Sequence, residues 1–191
     1  MTFKELIEGR RAYRSFVPVE ITEDILKELM EAASLAMTCF NMQPARLVFV
    51  FEPEPLKKVQ AALSKGNVWA TQASMIIAAC SRKDLGCVME ETRNYNLYDT
   101  GTQVAFLILR ATELGLVAHP IAGYAEKAVK DALGIPDDYE VISLIIVGKH
   151  TDAISPLLSP KQVELEKNRP ERFPYDKVFY RNKFTPPPEK K

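Results

Sequence analysis

Three arginine side chains lie within five residues near the start of the chain, at Arg10, Arg11 and Arg14. Arginine is always charged and offers five N–H donors in a rigid fork that matches phosphate and carboxylate groups. The residue type and the spacing therefore indicate an anion site, although a solvated basic turn has the same sequence. Arg169 and Arg172, far along the chain, join such a site if the tail folds back.

A second group of candidate residues lies between Met37 and Pro44, where helical periodicity is lost and a loop is predicted. Asn41 offers both a donor and an acceptor to the edge of a planar heterocycle, although amides in turns more often bond their own backbone. Cys39 has no cysteine or histidine close by in sequence, so we expect a small buried residue rather than a reactive thiol. His119, which precedes a tight strand-to-helix passage, is expected to be structural.

The charge balance restricts the possible partners. Lys+Arg and Asp+Glu are equal at 25 each, which argues against a binder of nucleic acid or acidic membranes. No apolar run has the length of a membrane span, and the first residues do not resemble a signal peptide. The three cysteines lack the spacing of a metal site or a disulfide framework. We therefore expect a cytoplasmic protein with no metal, nucleic-acid or membrane partner.

The elements that must position these residues alternate between helical and strand patterns, which indicates an α+β fold. Helices are predicted over about 3–9, 22–36, 55–63, 91–113 and 124–133, and strands over 46–51, 74–80, 116–119 and 139–147. The first helix delivers the arginines at its end. The strand 46–51 is nearly continuous in apolar residues, so we expect it to be buried on both faces.

Two segments lack a clear pattern. The segment from Arg82 to Asn96 is the least regular part of the interior of the chain. From about residue 150 onward the chain is rich in proline and weakly periodic, so this tail is expected not to build a core of its own. The chain also lacks a strand-linked GxGxxG motif and a P-loop, so arginine side chains must hold any bound phosphate.

Four short motifs, in order along the chain, resemble the FMN-dependent nitroreductase family. They are RRAYRSF at 10–16, ASLAMTCFNMQP at 33–44, the pieces LGL and PIAGY between 114 and 124 with LGIP at 133–136, and RFP at 172–174. Each motif alone is weak, but the four together span nearly the whole chain. The resemblance implies one FMN-binding domain over residues 1–191, with a mixed sheet flanked by helices.

The resemblance also implies an assembly and an activity. The assembly is an intertwined homodimer in which the tail, from about 150 to 191, reaches the partner subunit. The activity is that of an FMN-dependent NAD(P)H oxidoreductase, which passes a hydride from NADH or NADPH through flavin N5 to a small nitroaromatic or quinone-type acceptor. The flavin carries the chemistry, so the sequence singles out no catalytic side chain.

Carried over residue by residue, the resemblance makes Arg10 and Arg172 ligands of the FMN phosphate, with Arg169 as a helper. Arg11 would lie along the phosphate and ribityl chain, and Arg14 beside flavin N1 and O2. A cation there would stabilise the negative charge of reduced flavin.

The remaining implied contacts involve the flavin ring. Asn67 resembles the amide at the pyrimidine edge, and Ala122 and Gly123 resemble the turn whose N–H approaches N5. Ala12 stands where the family usually has Ser, and the bulky Phe40 stands where it often has a small residue. Four residues would come from the partner subunit: Met37, Thr38, Cys39 and Asn41.

Two alternatives remain open at the level of the sequence. One is a specialised flavin dehydrogenase or dehalogenase of the same superfamily, with the segment from Arg82 to Asn96 as a short lid. The other is a flavin-binding regulatory protein without turnover. The sequence determines neither the physiological acceptor nor the choice between NADH and NADPH.

Overall fold

The computed structural model of the chain describes residues 1–90 and 92–186. The α-helices in these residues are α1 (Phe3–Gly9), α2 (Glu23–Ser34), α3 (Pro53–Ala61), α4 (Asn96–Glu113), α5 (Glu126–Leu133) and α6 (Pro160–Lys167). The strands are β1 (Phe16–Val17), β2 (Arg46–Val50), β3 (Met75–Ser81), β4 (Val88–Met89), β5 (Arg93–Asn94), β6 (Val117–Ile121) and β7 (Glu140–His150). The predicted α+β class is confirmed.

The long strand β7 is the centre of a five-stranded sheet. β3 and β6 pair with the same residues of β7, including Ile145 and Ile146, and therefore lie on its opposite edges. β2 pairs with β3, and the short β1 pairs with the last residues of β7. Each of these pairs is antiparallel, so the parallel pair that a mixed sheet requires is not found within the described part of this chain.

Helices cover both faces of this sheet because successive residues of a strand point to opposite sides. Met75 and Ile77 of β3 pack against buried residues of α2 and α4. Ile76 of β3 belongs to a second apolar layer, which contains Val59 of α3, Val129 of α5 and the buried indole of Trp69. Because both faces are buried, a ligand can reach this sheet only at its strand ends and edges.

The four predicted core strands are confirmed as β2, β3, β6 and β7. The expected burial of β2 on both faces is wrong, because Arg46 is exposed and only Val50 is fully buried. The reason is topological: β2 pairs with β3 alone and forms an edge of the sheet. One face of β2 is covered by helices, and the strand edge that faces away from β3 has no partner in the described part of this chain.

The five predicted helices are confirmed as α1 to α5. The fourth begins at Asn96 rather than near Glu91, because β4 and β5 pair as a short hairpin ahead of it. Glu91 itself lies outside the described residues. Across residues 1–90 and 92–186, none of the helices is long and apolar enough to cross a membrane.

The tail contains a helix, α6, that the sequence patterns did not predict. Ser159 forms a capping box with Gln162, and Pro160 occupies the first turn, where its missing N–H costs nothing. Before α6, the backbone N–H of Thr151 donates to the carbonyl of Ser15 at 3.1 Å. The part of the tail up to the end of α6 thus contacts its own chain, and the packing of the tail on a partner subunit stays a prediction.

Candidate functional site

The arginine segment leaves α1 at Gly9 and enters the sheet at Phe16 of β1. A capping box between Thr2 and Glu5 begins α1, and the helix ends where the first arginine follows. Both ends of the segment are therefore fixed by secondary structure. The residues between them, 10 to 15, form an irregular loop that we name the arginine loop.

Four arginine side chains meet at this loop. Burial, and then the positive charges of Arg169, Arg172 and Arg11, lower the pKa of Arg10. The tail arginines therefore do fold back to the start of the chain. The cluster borders a cavity of about 90 Å³ lined by Arg10, Arg11, Ala12, Arg14, Leu165, Arg169 and Pro170. Like charges held this close repel one another, and an anion between them would relieve the repulsion.

Two of these arginines also fasten the loop to the tail. Nη2 of Arg11 donates to the carbonyls of Leu165 and Glu166 at 3.1 Å each. Nη2 of Arg169 donates to the carbonyls of Glu8 and Arg10 at 2.5 and 2.7 Å. A guanidinium group carries five N–H donors, so each keeps donors for a ligand while it clamps the backbone.

Arg14 extends from the loop toward the apolar layer of the sheet. Its guanidinium carbon lies 5.7 Å from the centre of the Trp69 ring, within range of a cation–π interaction. Burial lowers the pKa of Arg14, and the nearby carboxylate of Glu166 opposes that change. The side chain is therefore a half-buried cation with an aromatic support on one side.

His119 supports the same region from β6. Its Nδ1 lies 3.0 Å from the carbonyl of Tyr13, and its ring centre lies 4.8 Å from that of Trp69. Because the carbonyl can only accept, Nδ1 carries the proton. Burial lowers the pKa of His119 to about 4, so the ring is neutral at physiological pH. The expectation of a structural histidine agrees with this geometry.

Asn67 and the turn at Ala122 and Gly123 form one unit. Nδ2 of Asn67 donates to the carbonyl of Gly123 at 3.0 Å, and the backbone N–H of Ser64 donates to the same oxygen at 3.0 Å. A Cβ atom on Gly123 would lie 2.5 Å from Nδ2 of Asn67, so a larger residue here would displace the Asn67 side chain. Asn67 shares its 3-10 segment with Trp69, which connects the unit to Arg14.

The loop from Met37 to Asn41 is held on a different element, helix α4. Thr102 donates its hydroxyl to the carbonyl of Met37 at 3.0 Å, and Asp99 accepts from the backbone N–H of Cys39 at 3.1 Å. The hydroxyl of Thr38 accepts from the backbone of Gln43 at 3.2 Å. Among the hydrogen bonds of the described residues, none joins this loop to the arginine loop.

The same loop carries backbone strain. Phe40, Asn41 and Gln43 have φ values of 48, 57 and 48°, in the left-handed region that costs a residue with a side chain about 1 kcal/mol or more. Phe40 is nevertheless 82% exposed. A strained loop that presents a large aromatic side chain to solvent indicates a contact surface.

Cys39 is half-buried and lies beside Cys87. A hydrogen bond to Cys87 is the main cause that raises the pKa of the Cys39 thiol, to about 11. The expectation that Cys39 is not a reactive thiol agrees with this value. A cavity of about 320 Å³ adjoins Cys39 and is lined by Met37, Thr38, Cys39, Phe40, Met89, Tyr95, Tyr98 and Asp99.

This geometry can be set against known proteins. The sequence model described as the nitroreductase family matches residues 7–149 of the chain. The chain belongs to the nitroreductase family. In curated proteins, it is similar to YdgI of Bacillus subtilis, which is provisionally named an NAD(P)H nitroreductase. The two are 24% identical over 186 residues, which cover 78% of this chain and 89% of the relative.

Solved structures of nitroreductases and related oxidoreductases share the fold. A structure described as an oxidoreductase containing FMN superposes with a TM-score of 0.84 at 26% identity, over 97% of this chain and 94% of that one. A protein from Exiguobacterium sibiricum, provisionally described as a nitroreductase and solved in complex with FMN, gives a TM-score of 0.76 at 23% identity, over 95% of this chain and 98% of that one. The second likeness shows the fold alone.

Sequence reasoning missed two residues that build the site of this nitroreductase-family chain. Trp69 supports Arg14 and His119, and the signal for it was its status as the only tryptophan of the chain. Glu166 binds the arginine loop from α6 and is almost fully buried. Its signal was absent, because it stands among other charged residues in a segment that reads as solvated.

Proposed function

We propose that this protein is an FMN-dependent NAD(P)H oxidoreductase that reduces nitroaromatic or quinone-type acceptors. The observation that carries the proposal is the convergence of Arg10, Arg11, Arg14 and Arg169 on one cavity. Arg14 also contacts Trp69, whose 3-10 segment contains Asn67. Family membership and the names of the relatives support it. A phosphate group would neutralise the cluster, and the neighbouring amide and turn suit the edge of a planar ring.

At the phosphate end, the proposed ligands are Arg10 and Arg172, with Arg169 as a helper. Arg10 suits this role because burial, and then the positive charges of its neighbours, lower its pKa, and a bound anion would offset both effects. Arg11 and Ala12 line the same cavity and would follow the ribityl chain.

At the ring end, Arg14 would lie beside flavin N1 and O2, with Asn67 at the pyrimidine edge. Ala122 and Gly123 would offer a backbone N–H toward N5. When bound, FMN supplies the redox chemistry, accepting hydride from NADH or NADPH and passing electrons to the acceptor in a separate half-reaction. The chain's own residues bind and orient the ring and adjust its charge, and no protein acid or base is assigned.

We further propose that the site is completed in a homodimer. The loop that would supply Met37, Thr38, Cys39 and Asn41 is held on α4 and shares no hydrogen bond with the arginine loop in the described residues. Its exposed and strained Phe40 suits a subunit contact. A second copy would bring the two halves together, and Phe40 would then narrow the pocket over the flavin.

The first test is the absorbance spectrum of the purified protein, followed by anaerobic stopped-flow mixing. We expect a yellow protein that releases FMN on denaturation and loses its flavin absorbance on mixing with NADH or NADPH. A colourless protein that does not take up added FMN would overturn the cofactor assignment. Bound flavin that neither NADH nor NADPH bleaches would instead favour the regulatory alternative.

A substitution tests the phosphate end. Arg172→Ala should weaken FMN binding roughly ten- to a hundredfold, because a charge-assisted hydrogen bond contributes about 1.5–3 kcal/mol. Lys161→Ala removes a positive charge from an exposed position on α6 and serves as the control. FMN occupancy of Arg172→Ala equal to that of the parent protein would show that Arg172 is not a phosphate ligand.

A further inference from the structure

Glu166, in the last turn of α6, places a buried carboxylate directly behind the arginine loop. Its side chain is 2% exposed. The backbone N–H of Arg14 donates to its two oxygens at 3.0 and 2.9 Å, and the N–H of Ser15 donates to Oε1 at 2.8 Å. These amides belong to an irregular loop, where they have no partner in a helix or a sheet ladder, and Glu166 satisfies both.

The carboxylate binds the backbone of the loop and leaves the guanidinium groups free. Nε2 of His150 lies 3.9 Å from Oε1 of Glu166, and no lysine or arginine of the described residues forms an ion pair with this carboxylate. Its negative charge lies on one side of the loop, while Arg10, Arg11 and Arg14 line the cavity. The carboxylate favours the cationic form of Arg14 without occupying the donors that a ligand needs.

Residues of α6, the residue Arg169 that follows it, and His150 at the end of β7 contact the loop at further points. Arg11 donates to the carbonyls of Leu165 and Glu166, and Arg169 donates to the carbonyl of Arg10. The ring of Tyr13 stacks on His150 with centroids 3.6 Å apart. The backbone of the arginine loop is thus fixed from the tail side, so the position of Arg14 depends on α6.

We propose that Glu166 is a positioning residue that holds Arg14 in the orientation that binds the flavin ring. This inference rests on the proposed function, since it assumes that FMN occupies the arginine site. Glu166 does not touch the cofactor in this proposal. It acts through the backbone of Arg14, and α6 thereby becomes part of the cofactor site although it contributes no ring ligand.

The test is a double-mutant cycle on FMN affinity, measured on the apoprotein by quenching of flavin fluorescence. Glu166→Gln keeps the shape but presents an amide N–H₂ where two backbone donors need acceptors, so we expect the Kd for FMN to rise about tenfold. In an Arg14→Ala background the same change should alter the Kd by less than about twofold, because Arg14 is no longer there to be positioned. Glu164→Gln, at an exposed position on the same helix, is the matched control and should leave the Kd unchanged.

The outcomes separate the two levels of the proposal. If the parent protein does not bind FMN, the proposed function is wrong. If the parent binds FMN and Glu166→Gln binds it equally well, or loses the same factor in both backgrounds, the positioning role is wrong. Should Glu166→Gln fail to fold, Glu166→Asp replaces it in the cycle. That variant keeps the charge and withdraws it by one methylene, so a smaller loss confined to the Arg14 background is expected.

Discussion

At the residue scale, Cys39 shows how one neighbour changes the chemistry of a thiol. The hydrogen bond to Cys87 raises the pKa of Cys39 from 9.0 to about 11. The thiolate is the species that reacts with alkylating agents, so at pH 8 Cys39 should react about a hundredfold more slowly with iodoacetamide than an unperturbed cysteine. Mass spectrometry of the Cys39 peptide over time measures this rate, and its pH profile should rise toward pH 11. Cys87→Ala should shift that profile to lower pH, whereas a midpoint near pH 9 in the parent protein would contradict the prediction.

His119 makes stability depend on pH in a defined window. Its folded pKa, about 4, lies below the ordinary value of 6.5, so the unfolded chain binds the proton more tightly. The stabilisation from the neutral ring is complete above pH 6.5 and is lost as the pH falls toward 4. Between pH 7 and pH 5 the free energy of unfolding should fall by about 2 kcal/mol through this group.

Urea unfolding at the two pH values, compared with His119→Gln, isolates this contribution. Glutamine is neutral at both pH values and retains an N–H donor for the carbonyl of Tyr13. The parent protein should therefore lose more stability than the variant on going from pH 7 to pH 5. An equal loss in both proteins would show that His119 does not titrate in this window.

A site residue could be predicted from the sequence where neighbouring residues reveal its chemistry. It could not be predicted where its role depends on contacts with residues far away in sequence. Arg10 and Arg14 were candidates because a dense run of arginines is visible without a structure. Glu166 was not a candidate, because its buried carboxylate accepts from two backbone amides that lie 152 and 151 residues away in sequence. Trp69 lies between these cases: a lone tryptophan indicates burial but does not indicate which side chains it supports.

At the scale of elements, Gly86 controls how the β4–β5 hairpin and α4 meet. A Cβ atom at this position would lie 2.6 Å from the backbone nitrogen of Asn96, the first residue of α4. Backbone atoms cannot give way as a flexible side chain does, so Gly86→Ala should destabilise the protein by roughly 1–3 kcal/mol. The midpoint of urea unfolding measures the change.

Gly66 provides the matched control, because a Cβ atom there would meet nothing within 4 Å. Gly66→Ala should therefore stay within about 0.5 kcal/mol of the parent protein. Equal stabilities for the two variants would show that the backbone around Gly86 moves away from Asn96 at little cost in free energy. In that case the segment ahead of α4 is loosely attached, which would favour its reading as a lid.

The helices and strands also differ in how well the sequence predicted them. α2 was predicted because its apolar residues recur at helical spacing, and β3 because it is a continuous apolar run buried on both faces. α6 carries little apolar periodicity, and it is held mainly by polar contacts with the arginine loop. Periodicity reports burial of apolar side chains, so it does not reveal an element whose partners are backbone amides and carbonyls.

At the scale of the whole molecule, two sets of strongly exposed apolar side chains bear on the assembly. One set surrounds the strained loop and includes Leu35, Met37 and Phe40, which are 78%, 63% and 82% exposed. The other lies in the tail beyond α6 and consists of Phe173, Tyr175, Val178, Phe179 and Phe184. Exposed apolar groups of this number are costly in water, and a homodimer in which the end of each tail covers the partner would bury both sets.

Truncation tests this assembly. Removal of residues 173–191 deletes the uncovered aromatic side chains of the tail and leaves α6 and Arg172 in place. We expect the truncated protein to shift from dimer toward monomer in sedimentation velocity, because the apolar contacts of the tail are lost. Removal of residues 187–191 alone keeps those side chains and should leave the dimer intact. If the longer truncation is as fully dimeric as the parent protein at the same concentration, the tail does not hold the subunits together, and the covering of Phe40 and its loop must come from α4 and its surroundings.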